Sequence, residues 1–427
     1  YPLRRLRQMC IRDSYSIYTS IDMNIQNQLQ QAVDNNLAAY TEKSSEGVYS
    51  MQGAATCVDN STGNVVAIVG SRSQEDIKGY VLNRAYQSYR QPGSCIKPLN
   101  VYTPYLQLGN TPDTKVTDSQ IDGGPANADA SYAGEMTLTD AVKWSKNTVA
   151  WNIYQQITPK TGSSFLIKMG FHKIWVDKDY NAGALGGFTY GVTTEEMAGG
   201  YAALANDGVY RKATCIRLIV NASNKTVVNE TNRDSKVYDK SASRMMTQML
   251  REVVLSGTGT SANVENAVVA GKTGTTNASK DVWFCGYSKY YTTTVWAGYD
   301  YPKEMSGVNS RVNAIFKDFM TAVHTNLPVT DFSTVTQQTT QPETTAAVQE
   351  ETESLPQETT AIVPETTGIE QVTPQQVPST TAQVPTTTPY QRWTTAPAQP
   401  KTTAPMQYGD IDATTRTDPD ATARGEW

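Results

Sequence analysis

The sequence predicts a mixed α+β fold, an antiparallel sheet of about five strands flanked by helices, with a mainly helical subdomain. Three observations carry this. Runs rich in β-branched and aromatic residues stand at both ends of the region 54–299, apolar residues at helical spacing fill the part between them, and residue usage changes sharply near Pro328.

In chain order, residues 1–14 form a leader with Arg4, Arg5, Arg7 and Arg12 and no periodicity, which is set outside the fold. Residues 15–50 read as a linker segment holding one amphipathic helix: Ile25, Leu29, Ala32, Val33 and Leu37 recur at helical spacing behind Asp22, a good N-cap. Residues 54–58 and 65–69 are β-rich and separated by Asp59-Asn60-Ser61-Thr62-Gly63-Asn64, a cluster of turn formers, so they predict a hairpin. Pro92-Gly93 ends the irregular stretch that follows. A helix then runs to about Leu108 on Val101, Tyr102, Tyr105 and Leu106, with Pro98 in its first turn, where amide hydrogens lack intrahelical partners anyway.

Residues 110–133 are loop-like, and Thr139 is expected to cap a helix beginning near Asp140, with Val142, Val149 and Ile153 marking buried helical faces around Ser145. Further helices are predicted over 193–206 and 241–254. Residues 267–273, 282–287 and 292–299 read as strands that extend the first hairpin into an antiparallel sheet. A last helix over 311–326 carries the stripe Val312, Ile315, Phe316, Phe319, Met320 and Val323. The folded domain is thus placed at 51–327. Residues 328–427 form a Thr/Pro/Gln-rich tail, predicted to be a disordered spacer because it cannot bury enough apolar surface to offset its ordering entropy.

Composition narrows the chemistry. A formal net charge of −5 and the lack of a basic cluster in the domain give no reason to expect a nucleic-acid partner. With two histidines and five scattered cysteines, neither a histidine triad nor a metal site is expected, and no cofactor is called for. His172 and His324 read as structural or surface residues, and Cys95 as a small apolar packing residue.

Three short stretches carry chemistry. Ser94 and Lys97, three residues apart at a helix start, share a face. In Ser145-Lys146-Asn147 a hydroxyl can relay protons, while Asn147 offers an acceptor and two donors for a peptide amide. In Lys272-Thr273-Gly274-Thr275, at a strand end, Gly274 admits a second backbone, as an edge-pairing peptide requires, and Lys272 with the hydroxyls of Thr273 and Thr275 suits a carboxylate. A lysine beside Lys97 would depress its pKa, and burial acts in the same direction. Neutral Lys97 could then deprotonate Ser94. Singly, each stretch is ordinary; in this order they define a candidate catalytic site.

The ordered set S-x-x-K, S-x-N, K-T-G resembles the penicillin-binding proteins, serine transpeptidases that cross-link bacterial peptidoglycan. Asn83-Arg84-Ala85, Arg90-Gln91-Pro92-Gly93-Ser94, Gly191-Val192-Thr193, Ala205-Asn206-Asp207-Gly208 and Gly257-Thr258-Gly259-Thr260 resemble the bifunctional class A branch, and the likeness runs from residue 19 to 326. It implies a penicillin-binding/β-lactamase-like transpeptidase fold over 51–327. It also implies that Ser94 attacks the penultimate D-Ala carbonyl of a stem peptide ending in D-Ala-D-Ala, with Lys97 as base and Ser145 as proton shuttle. The backbone amides of Ser94 and Thr275 would form the oxyanion hole, Asn147 would orient the peptide, and Lys272, Thr273 and Thr275 beside Gly274 would hold its carboxylate. β-Lactam antibiotics would acylate the same serine.

By the same resemblance the chain would work on the extracytoplasmic face of a bacterial membrane, beside cell-division or elongation proteins. The branch's glycosyltransferase domain and membrane anchor are expected to lie outside this sequence. Two other readings stay open: a D,D-carboxypeptidase or serine β-lactamase, which sends water to the same acyl-enzyme, and a non-catalytic cell-wall-binding module.

Overall fold

The computed structural model describes residues 15–74, 81–230 and 234–333. The expectations for the leader and for the tail beyond residue 333 lie outside the described residues. Strand β1 (Tyr15–Thr19) leads to helix α1 (Met23–Leu37), which Asp22 caps by accepting from the amides of Asn24 and Ile25. The hairpin follows as β2 (Met51–Asp59) and β3 (Val65–Val69), and α2 (Arg84–Gln87) is a single turn.

The predicted Ser94 helix is present but is not a continuous α-helix. A 3₁₀ turn (Gly93–Ile96) gives way to a π turn (Pro98–Tyr102) and then α3 (Thr103–Leu106), ending short of Leu108. Pro98 has no amide hydrogen to donate, so the ladder widens around it. The stretch expected to be loop contains β4 (Lys115–Asp118), paired with β5 (Gly134–Thr137). Thr137, not Thr139, caps α4 (Leu138–Lys143), its hydroxyl accepting from the amide of Asp140. Helices α5 (Asn147–Ile157), α6 (Pro159–Lys168) and α7 (Thr194–Ala205) build the helical subdomain, and α7 opens with a reciprocal cap between Thr193 and Glu196.

Short strands β6 (Val209–Tyr210), β7 (Ile216–Asn221), β8 (Thr226–Asn229) and β9 (Ser235–Lys236) precede α8 (Lys240–Ser256). β1 pairs with β7, so the segment before α1 is tied into a small sheet. The last regular elements among the described residues are β10 (Ala270–Thr275), β11 (Asp281–Tyr287), β12 (Tyr291–Tyr299) and α9 (Val308–Val323). The main sheet has the order β10-β11-β12-β2-β3, antiparallel throughout, as the sequence predicts.

Alternation along the strands divides the core into two layers. Val282, Phe284, Val295 and Ala297 face Leu29, Val33 and Leu37 of α1 and Phe316 and Phe319 of α9. Trp283, Cys285, Tyr287 and Trp296 face the helical subdomain, packing with Met197 and Tyr201 of α7 and Leu250 of α8. The folded region continues past Pro328: the Phe332 ring lies 5.5 Å from that of Tyr287, and Asp331 pairs with Arg251 at 2.9 Å. No described helix is long and apolar enough to cross a membrane.

Candidate active site

The site lies where the 3₁₀ turn carrying Ser94 meets the edge strand β10. Gly274 makes this contact possible. A Cβ there would stand 2.8 Å from Cys95 Sγ and collide with the Pro92 carbonyl, so its missing side chain admits the turn that carries Ser94. Gly93 answers from the other side: it has φ +52°, and a Cβ on it would lie 2.7 Å from the Thr275 carbonyl oxygen. The Cys95 thiol donates to the Lys272 carbonyl at 3.1 Å, and Tyr201 OH donates to the Cys95 carbonyl at 2.7 Å. Cys95 therefore packs, as expected, and also locks the two backbones together.

Lys97 and Lys272 are both wholly buried. Lys97 Nζ is surrounded by the Ser145 carbonyl at 2.9 Å, the Lys146 carbonyl at 3.3 Å and Asn147 Oδ1 at 2.8 Å. Burial first and the Lys272 charge second push its pKa well below the usual 10.5. A neutral amine has two N–H bonds, enough for the two shorter contacts, and keeps a lone pair for a proton. Lys272 Nζ donates to Ser145 Oγ at 2.8 Å and to the Thr273 carbonyl at 3.1 Å. Burial lowers its pKa to about 8, although the thiols of Cys95 and Cys285 act in the opposite direction. The Ser94 hydroxyl is partly exposed and bonds to none of the described residues; catalytic contacts in free enzymes often tighten only on binding.

Ser145 occupies the turn between α4 and α5 with φ +58°, not a helical face, so its carbonyl reaches Lys97 while its hydroxyl reaches Lys272. Asn147 is already engaged: besides accepting from Lys97, its Nδ2 donates to the Ala126 carbonyl at 2.9 Å. Thr273 and Thr275 project from the other face of β10, where Thr273 Oγ1 lies 2.8 Å from Thr258 Oγ1 and Thr275 Oγ1 donates to Asn309 Oδ1 at 3.3 Å.

The sequence reading missed what holds the Ser145–Asn147 turn. Lys146 is buried and pairs with Asp118 at 3.2 Å and Asp129 at 3.1 Å. Burial works against its charge, and the two carboxylates outweigh it, holding its pKa above the ordinary value. Asp118, itself wholly buried, also accepts from Thr148 Oγ1 at 2.5 Å, Asn127 Nδ2 at 2.6 Å and the Ala133 amide at 2.9 Å. Asn127 Oδ1 accepts from the Asn147 amide at 2.7 Å. These residues come from a stretch with no recognisable pattern, and only the charge of Lys146 between two site residues hinted at a partner.

A serine at the mouth of a helix, two buried lysines joined through a second serine, and the edge strand of the main sheet thus come together at one place. The chain belongs to the penicillin-binding protein transpeptidase family: residues 53–321 match its penicillin binding protein transpeptidase domain. It is similar to penicillin-binding protein 1A of Clostridium perfringens, 32% identical over 352 residues, covering 77% of this chain and 52% of that protein. Penicillin-binding protein 4 of Bacillus subtilis is 33% identical over 305 residues, covering 70% of this chain and 47% of the relative. The chain thus spans about half the length of these relatives. Among solved structures, PonA1 from Mycobacterium tuberculosis in complex with penicillin V superposes with a TM-score of 0.63 at 22% identity, covering 77% of this chain and 90% of the other. Penicillin-binding protein 1A from Haemophilus influenzae does so with 0.63 at 20%, covering 78% and 71%. These two establish the likeness of fold.

Proposed function

We propose that the chain is a serine D,D-transpeptidase that cross-links peptidoglycan stem peptides through an acyl-enzyme on Ser94 and that β-lactams acylate the same residue. The observation that carries the reading is the hydrogen-bonded set Lys97, Ser145 and Lys272, gathered beside Ser94 and the free edge of β10. A stem peptide ending in D-Ala-D-Ala pairs with that edge, its carboxylate held by Lys272, Thr273 and Thr275. Asn147 turns its remaining N–H toward the peptide. Ser94 Oγ attacks the penultimate D-Ala carbonyl carbon as its proton passes to neutral Lys97. The oxyanion is held by the amides of Ser94 and Thr275. The C–N bond then breaks, and the proton reaches the departing D-Ala nitrogen through the Ser145 hydroxyl. An amine from a second stem peptide attacks the ester and restores Ser94.

No metal or cofactor takes part in these steps. A protein with this activity works on the outer side of a bacterial membrane, where stem peptides lie. A fluorescent penicillin tests the assignment. The wild-type chain should form a stable covalent adduct, and Ser94→Ala should form none at unchanged melting temperature. Labelling that survives in Ser94→Ala would sink the assignment of the nucleophile. Rapid turnover of the adduct by water would favour a carboxypeptidase or β-lactamase instead.

A further inference from the structure

The loop after α8, Gly257-Thr258-Gly259-Thr260, has no part in the chemistry so far, yet it reaches the site from two sides. The Thr258 amide donates to the Lys143 carbonyl at 3.3 Å, two residues before Ser145. The amides of Gly257 and Gly259 both donate to the Val253 carbonyl, at 3.2 and 3.0 Å, closing the loop onto the end of α8. Thr258 is thereby held with an exposed side chain whose hydroxyl lies 2.8 Å from Thr273 Oγ1. No other hydrogen bond of either hydroxyl is found among the described residues.

We propose that Thr258 is a specificity-determining residue of the carboxylate subsite, acting as one unit with Thr273. This rests on the transpeptidase reading above. Two hydroxyls in contact carry two protons and spend one on each other, so one remains for an anion. With Thr258 donating to Thr273, the Thr273 proton turns outward, and a hydroxyl that accepts a bond is polarised into a better donor. Thr273 and Thr275 stand two residues apart on one face of the edge strand, with Gly274 between them in sequence and Lys272 directly before Thr273. An anionic terminus lying along that edge meets the outward proton of the pair beside the lysine charge. The ligand class is a free carboxylate on a D-amino acid or on a β-lactam. A neutral ester in the same place gains much less from the donor.

The test compares the second-order rate of Ser94 acylation by benzylpenicillin and by its methyl ester, in the full chain with wild-type, Thr258→Val and Thr258→Ser sequences. Valine keeps the shape and removes the hydroxyl; serine keeps the hydroxyl. Thr258→Val should lose about three- to tenfold with benzylpenicillin, the size of one ordinary hydrogen bond between neutral groups, because the Thr258 hydroxyl orients and polarises Thr273 without itself touching the anion, and less than about twofold with the ester. Thr258→Ser should restore the acid rate. Equal losses on acid and ester, as a general disturbance of the cleft would give, overturn the proposal, as does an unchanged acid rate in Thr258→Val. Either result leaves the transpeptidase reading intact. A wild-type chain that neither compound acylates removes both.

Discussion

Raising the pH should switch off acylation earlier than an ordinary lysine would allow. In the proposed mechanism Lys272 binds a carboxylate in its charged form, and its pKa is lowered from the usual 10.5 to about 8. The sign follows from that direction: the charged form is full below 8 and is lost as pH rises through it. One unit above, about one molecule in ten still carries the charge, whereas a lysine at its ordinary value would be charged in more than nine in ten. Lys97 runs the other way. Its pKa is held well below 10.5 by burial and by the Lys272 charge, so rising pH creates the base. Together they predict a bell-shaped profile whose acid limb belongs to Lys97 and whose alkaline limb belongs to Lys272. The measurement is the second-order rate constant of labelling by fluorescent penicillin from roughly pH 6 to 10, with circular dichroism to confirm folding at each point. The constant should fall about tenfold per unit above the break. A rate that stays flat or climbs through about pH 9.5 would refute the account of Lys272.

Two substitutions probe how the cleft is held. Gly274→Ala inserts a methyl group 2.8 Å from Cys95 Sγ and against the Pro92 carbonyl, which must push β10 away from the Ser94 turn. Labelling should slow on the order of a hundredfold, as ångström-scale misplacement of reacting groups does, and unchanged labelling would mean the contact sets nothing. Asp118→Ala removes a buried carboxylate that receives Lys146, Thr148, Asn127 and the Ala133 amide, leaving those donors in place. Breaking such a pair costs about 3–5 kcal/mol, to be read from urea unfolding. A loss under about 1 kcal/mol would show that Asp129 alone satisfies Lys146.

The sheet was legible because its strands carry strong β-propensity and are bounded by turn formers, α1 because Asp22 caps it as its sequence position suggests, and α7 because its apolar residues Met197, Tyr201 and Leu204 recur at helical spacing and are buried. The short pairs β4–β5 and β7–β8 were not, since half of their residues are exposed and none of the four strands shows a clean apolar–polar alternation. Thr137 won the cap over Thr139 because Leu138 is fully buried and must belong to the helix. At the site, the residue types of all three motifs could be read directly. The conformation of Ser145 could not, because a positive φ in a serine is imposed by what surrounds it, here the bonds of its carbonyl and hydroxyl to two different lysines. Asp118 and Asn127 were invisible for a related reason: a buried polar network is defined by who meets whom, and no spacing encodes that.

The order of the main sheet sets when the site can exist during synthesis. β2 is inserted between β3 and β12, with Met51 opposite Tyr299 across the longest ladder among the described residues. Ser94, Lys97 and Ser145 all emerge from the ribosome well before β10 and β12, and until those strands arrive there is no edge for the serine turn to rest on. The nascent chain must keep the apolar face of β2 from other partners throughout that interval. Closing so distant a pair is slow and exposes unpaired strand edges, which makes this fold one that depends on its last segment for both assembly and protection from aggregation.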